Sequence, residues 1–164
     1  MIRNVVHVNV NVSDLDRSVA FYERLGFAVM HRFGSATRDR DDPAAGAMAF
    51  GGRLLRGAVM SLGDHPHAAT KLELIEWIEP RAEPPPERPH HRVGVARIAL
   101  RTKGLLATCE RLRRAGVVFE LEPSDVALVG ARRFALFRDP DGTLLELVEF
   151  TPRESAPAAT GSGV

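Results

Sequence analysis

The stretch HVNVNVSDLDRSVAFYERLGFAV (7–29) decides the fold, because the chain uses its pattern twice. The stretch RIALRTKGLLATCERLRRAGVVF (97–119) lies over it without a gap, Leu15 matching Leu105 and Gly26 matching Gly116 at an offset of 90. Each copy opens as a strand, continues as an amphipathic helix, meets a glycine and enters a new strand. Apolar residues at alternate positions mark a half-buried strand, whereas Leu15, Val19, Tyr22 and Leu25 recur at helical spacing. A glycine just past the last helical turn supplies the positive φ on which helices commonly end. Ser13, with Asp16 behind it, reads as the first helix start.

The strand ends repeat as well: LELIEW (72–77) matches LELVEF (145–150). Between these marks, residues 27–33 and 56–63 read as strands, 34–53 as a loop, DHPHAAT (64–70) as a turn and KLELIEWI (71–78) as a fourth strand. In the second copy ARRFALFR (131–138) and TLLELVEF (143–150) are strands joined by the tight turn DPDG (139–142). The predicted class is α+β: two βαβββ modules forming a cupped mixed sheet, a single domain over residues 1–152. The modules cover about 1–79 and 93–152, the proline-rich segment 80–92 links them, and 153–164 form a flexible tail.

With 164 residues the chain is large enough for one domain or two half-domains sharing a core. Its 22 basic and 21 acidic residues give a net charge of +1 with no basic stripe, which argues against a nucleic-acid partner. Arg111, Arg113 and Arg114 read as a solvated helix face. The lone Cys109 rules out an internal disulfide and, within an amphipathic helix, reads as a buried structural thiol. The first residues do not resemble a signal peptide and no apolar run is long enough to span a membrane, so the expected location is the cytoplasm.

Strand side chains alternate between faces. Val6, Val8, Val10 and Val12 share a helix-facing side, leaving His7, Asn9 and Asn11 opposite. In the second copy Ala96, Ile98 and Leu100 leave Arg97, Ala99 and Arg101 opposite. Likewise Glu73, Ile75 and Trp77 oppose Leu72 and Leu74, and Glu146, Val148 and Phe150 oppose Leu145 and Leu147. A carboxylate among apolar neighbours is costly unless partnered. That anomaly recurs at equivalent points, so His7, Glu73, Arg97 and Glu146 are expected to converge. A histidine with two carboxylates suits a divalent ion such as Zn, Ni, Co, Mn or Fe. Asn9 and Asn11 are candidate ligand hydrogen-bonders, and His31 and Trp77 candidate lining. His65, His67, His90 and His91 fall in turn and linker segments and read as surface residues.

HVNVNVSDLDRSVAFYERLGF, LELIEW and FRDPDGTLLELVEF resemble the vicinal oxygen chelate superfamily, which includes glyoxalase I, methylmalonyl-CoA epimerase, extradiol dioxygenases, fosfomycin resistance enzymes and bleomycin-binding proteins. The resemblance runs from about His7 to Phe150. It implies paired βαβββ modules, a small-molecule substrate or ligand and a homodimer. It also implies four equivalent ligand positions, of which His7, Glu73 and Glu146 fill three, while Arg97 stands where histidine is common. Two readings follow. In the first, a metalloenzyme of the glyoxalase-like type performs a lyase or isomerase step through a metal-stabilised enolate-like intermediate. Its ligands are His7, Glu73 and Glu146, its proton-transfer base is Glu146 (or Glu73), and Arg97, Arg101, Asn9, Asn11 and Trp77 bind substrate. In the second, Arg97 bridges both carboxylates without metal, and the protein sequesters a natural product. An extradiol-type dioxygenase is a weaker third, since of the two histidines and one glutamate such enzymes use, only His7 remains of the histidines.

Overall fold

A computed structural model describes residues 1–34, 54–63, 70–83, 91, 93–128 and 130–150. The first module runs β1 (His7–Val12), α1 (Leu15–Arg24), β2 (Phe27–Gly34), β3 (Leu54–Leu62) and β4 (Lys71–Glu79). The second repeats it with β5 (Ile98–Thr102), α2 (Leu105–Arg114), β6 (Phe119–Leu128), β7 (Ala131–Arg138) and β8 (Leu144–Phe150). Each module folds into its own four-stranded mixed sheet, ordered β1-β4-β3-β2 and β5-β8-β7-β6. The first strand of each pairs parallel with the last, and the other pairings are antiparallel. This is the α+β, two-module architecture the repeat implies. The expected loop over 34–53 falls mostly outside the described residues, as do most of the linker and the tail beyond Phe150.

The alternating pattern settles which face goes where. Val10, Val12, Leu72 and Leu74, with Leu145, Leu147, Ala135 and Phe137 of the second module, all enter one shared core. The helices close it through Leu15, Val19, Tyr22, Leu105, Cys109 and Leu112, each 3 % exposed or less. Both post-helix glycines take positive φ, 101° at Gly26 and 87° at Gly116, a conformation that a Cβ would strain. Cys109 is buried and free, and burial pushes its thiol up.

The helix starts differ from the sequence expectation. Asp14, not Ser13, is the N-cap of α1: its carboxylate accepts from the Arg17 amide at 3.0 Å. Ser13 is drawn instead to the second module, where Asp141 takes both its amide (3.1 Å) and its hydroxyl (2.5 Å). Helix α2 has Gly104 at the cap, with no side chain to offer. Glu149 of β8 fills that role, accepting from the Gly104 and Leu105 amides at 2.8 and 3.2 Å. Glu76 of β4 does the same for Leu15 at 3.0 Å. The second glutamate of each LELxE motif is therefore a helix cap held out from the neighbouring sheet, placed where the helix N-terminus favours negative charge.

The DPDG turn joins the modules. Asp141 also accepts from Arg17 at 2.8 Å, and the buried Tyr22 hydroxyl donates to the equally buried Asp139 at 3.0 Å. Asp139 additionally takes the Asp141 and Thr143 amides, so its carboxylate is fully partnered. Burial, followed by the charge and hydrogen bond of Asp139, pushes the Tyr22 phenol far upward, so it stays neutral. Phe21 meets Phe137 across the same seam, with ring centroids 6.4 Å apart.

Candidate functional site

The faces turned away from the helices carry every strand residue singled out in the sequence. In the first module β1 presents His7, Asn9 and Asn11, and β4 presents Glu73, Ile75 and Trp77. The register sets Asn9 opposite Glu73 and Asn11 opposite Ile75. Across β4, Val59 faces Glu73, and His31 of β2 faces Val59. A bulge between Val29 and His31 reverses the alternation of β2, so Val29 packs on the core while His31 and Phe33 join the cup. In the second module Ala99 lies opposite Glu146, Arg101 opposite Val148, and Phe134 of β7 beyond Val148.

The four flagged positions form two pairs. His7 Nε2 stands 3.4 Å from Glu73 Oε2. The Arg97 guanidinium is ion-paired through Nε with Glu146. In both pairs the carboxylate is nearly covered, 9 % and 13 % exposed, and its partner is about half exposed, 48 % and 49 %. Each glutamate is thus a largely covered charge compensated by one partner, His7 from the edge strand β1 and Arg97 from the residue just ahead of β5. Arg97 does not bridge both carboxylates within one chain, as the metal-free alternative drawn from the sequence had it. It also lies just ahead of β5, which begins at Ile98.

The repeat extends to the next residues along the cup. Asn11 accepts from the Trp77 indole at 2.9 Å, and at the matching place the Arg101 guanidinium stacks over Phe150, 5.2 Å from the ring centroid. Among the described residues Arg101 has no carboxylate partner, so its donors remain available. The second half-site therefore holds a spent cation, Arg97, and an unspent one, Arg101. The first half-site has His7 and Glu73 in the matching places.

Among the described residues no three His, Cys, Asp or Glu side chains come together closely enough to hold an ion. His7 and Glu73 alone have donor spacing suited to a shared ion, and Glu146 is engaged by a guanidinium, which cannot act as a ligand. The donors among the described residues of one chain do not fit a metal centre. His65, His67 and His90 lie outside the described residues, and His91 is exposed.

Sequence reasoning missed Glu76, Glu149, Asp139 and Asp141. The first two were detectable, because Glu76 and Glu149 fall on the helix-facing side with Leu72, Leu74, Leu145 and Leu147, where a charge needs a partner. The aspartates were read as turn formers, and nothing local signals that their oxygens serve the other module. A cleft of about 380 Å³ at the seam, lined by Phe21, Arg24, Val117, Glu120, Arg138 and Pro140 among others, contains none of the cup residues. Its Arg138 and Glu120 are paired with each other.

A model of the Glyoxalase/Bleomycin resistance protein/Dioxygenase superfamily matches residues 4–147. A probable lactoylglutathione lyase from Vibrio cholerae is 25 % identical over 146 residues, covering 88 % of this chain and 89 % of that one. A glyoxalase family protein from Bacillus cereus superposes with a TM-score of 0.71 at 22 % identity, over 92 % of this chain and 95 % of its own. A fosfomycin resistance protein from Listeria monocytogenes, solved with Mn(II) and a dihydroxypropylphosphonic acid, superposes at 0.61 with 19 % identity, over 93 % and 96 %.

Proposed function

The chain belongs to the Glyoxalase/Bleomycin resistance protein/Dioxygenase superfamily, and on that premise we propose that it binds a small oxyanionic molecule in its cupped faces without a metal ion. The observation that carries this reading is the ion pair of Arg97 with Glu146. It places a permanent cation at the position equivalent to His7 and occupies a carboxylate that a metal would need. Arg101, unpaired and stacked on Phe150, supplies the donors for the anion, and Asn9 and Asn11 supply neutral hydrogen bonds at the other end. Glu146, committed to Arg97, serves as a counterion. Glu73, beside the His7 imidazole, is the better placed of the two carboxylates to hold or move a ligand proton.

The cups are completed by a second copy of the chain. Among the described residues β1 and β5 are outer strands of their sheets, with no strand paired on one side. The segments leading into them expose valines at repeat-equivalent places, Val5 at 60 % and Val95 at 83 %. Pairing β1 of one copy with β5 of another would cover these residues and set the two half-sites against each other.

A metal-dependent lyase or isomerase is the second reading. It is favoured by the 3.4 Å separation of His7 Nε2 and Glu73 Oε2, a spacing compatible with two ligands of one ion, and by the name of the Vibrio cholerae relative. Glu146 of the second copy would then complete the set.

Thermal stabilisation by small carboxylate and phosphonate probes separates the readings. Stabilisation that persists in EDTA is expected. Stabilisation that disappears in EDTA and returns with Zn or Mn would overturn the proposal in favour of the second reading.

A further inference from the structure

The floors of the two cups place an aromatic ring at the same point by different routes. In the first module Gly57 of β3 lies opposite Ile75 and Phe33. The Phe33 ring occupies the space a side chain at 57 would need, since a Cβ there would stand 2.3 Å from its Cζ and 2.6 Å from its Cε2. In the second module Phe134 itself holds the place of Gly57, opposite Val148, and Ser124 holds the place of Phe33. The substitution of one arrangement for the other keeps a phenyl ring at the centre of both floors.

Around the first ring lies a small apolar cluster separate from the main core, formed by Phe33, Leu55 and Ile75 with the partly exposed Val59 and Trp77. His31 stacks on Phe33 with planes 23° apart and centroids 6.4 Å apart. The Trp77 ring is held in one orientation by its bond to Asn11. Flat, fixed ring faces favour a flat ligand, because aromatic pairs gain energy beyond the area they bury. Arg101 lies in the other half-site, which the proposed pairing of β1 with β5 across two copies would set against this one, and there it would add charge complementarity for an anion.

We propose that the ligand is a planar aromatic acid, its ring lying against Trp77 and His31 on the Phe33 platform and its oxyanion reaching the guanidinium side. This rests on the oxyanion reading above and names the class of molecule that fits it. Trp77 is the chain's single tryptophan, so its emission reports the cup alone.

The test uses 2-naphthoate, its saturated counterpart decahydro-2-naphthoate and the neutral 2-naphthamide, titrated by calorimetry and by Trp77 emission. 2-Naphthoate is expected to bind about fivefold tighter than the saturated acid and to quench Trp77. Phe33→Leu, or His31→Ala at the exposed ring stacked on it, should bring that ratio towards unity. Equal affinity of the two acids would overturn the aromatic assignment and leave the oxyanion reading standing. Equal affinity of the amide and the aromatic acid would instead sink the oxyanion reading and, with it, the acid in this proposal. Binding of neither acid would overturn both.

Discussion

His7 and Arg97 stand at matching places in two copies of one pattern, and the exchange of imidazole for guanidinium changes what the carboxylate beneath can do. An imidazole can share an ion or a proton with Glu73, whereas a guanidinium only neutralises Glu146. Arg97→His should therefore restore a ligand-type pair in the second module. The variant is expected to retain Zn or Mn through gel filtration, measured by elemental analysis, and to bind carboxylate probes more weakly than the parent. Unchanged probe affinity would remove Arg97 from the site. Asp141 gives a second prediction at this scale. Burial acts to raise its carboxyl, but the hydroxyl and amide of Ser13 and the Arg17 guanidinium outweigh burial and hold it below the usual value. A depressed carboxyl contributes stability above its unfolded pKa and loses that contribution as pH falls through the folded one. Asp141→Asn should destabilise the protein at pH 7, and the difference from the parent in urea unfolding should close below about pH 4. Tyr22→Phe, which leaves the buried Asp139 short of a donor, should cost about 1–3 kcal/mol in the same assay.

The elements show how far the sequence could be read and where it stopped. Alternation and helical spacing placed both helices and most described strands, because those patterns follow from which face meets the core. His7, Glu73, Arg97 and Glu146 were found as an anomaly in that alternation. Their sorting into two pairs was not legible, because it depends on which sheet each strand joins and not on spacing along the chain. The choice of Ser13 as cap failed for a related reason: its hydroxyl is claimed by Asp141, more than a hundred residues away, so the adjacent Asp14 caps the helix. The motif LELxE also carries two carboxylates with opposite destinations, one in the cup and one at a helix start. Glu149→Ala should therefore destabilise by about 1 kcal/mol, as an N-cap loss does, while leaving probe affinity unchanged. Reduced affinity at full stability would contradict the division of roles.

For the whole molecule the decisive features are how the half-sites meet and whether they hold an ion. One core and the DPDG turn bind the modules within a chain, yet their sheets remain separate and each ends on an unpaired first strand. That geometry predicts a dimer in sedimentation equilibrium, with Val95→Lys shifting it towards monomer. A parent that stays monomeric at all concentrations would contradict the completion of the cups by a second copy. Substrate identity was beyond the sequence, because the motifs that mark the family build the scaffold, while the side chains proposed to choose the ligand, such as Phe33, Trp77 and Arg101, take their neighbours from other strands. The central claim is that Arg97 has taken the place of a metal. Elemental analysis of the protein, as purified without chelator and after exposure to Zn and Mn, tests it most directly. The account predicts far less than one divalent ion per chain, with carboxylate binding indifferent to EDTA. About one tightly held ion per chain, whose removal abolishes that binding, would contradict it.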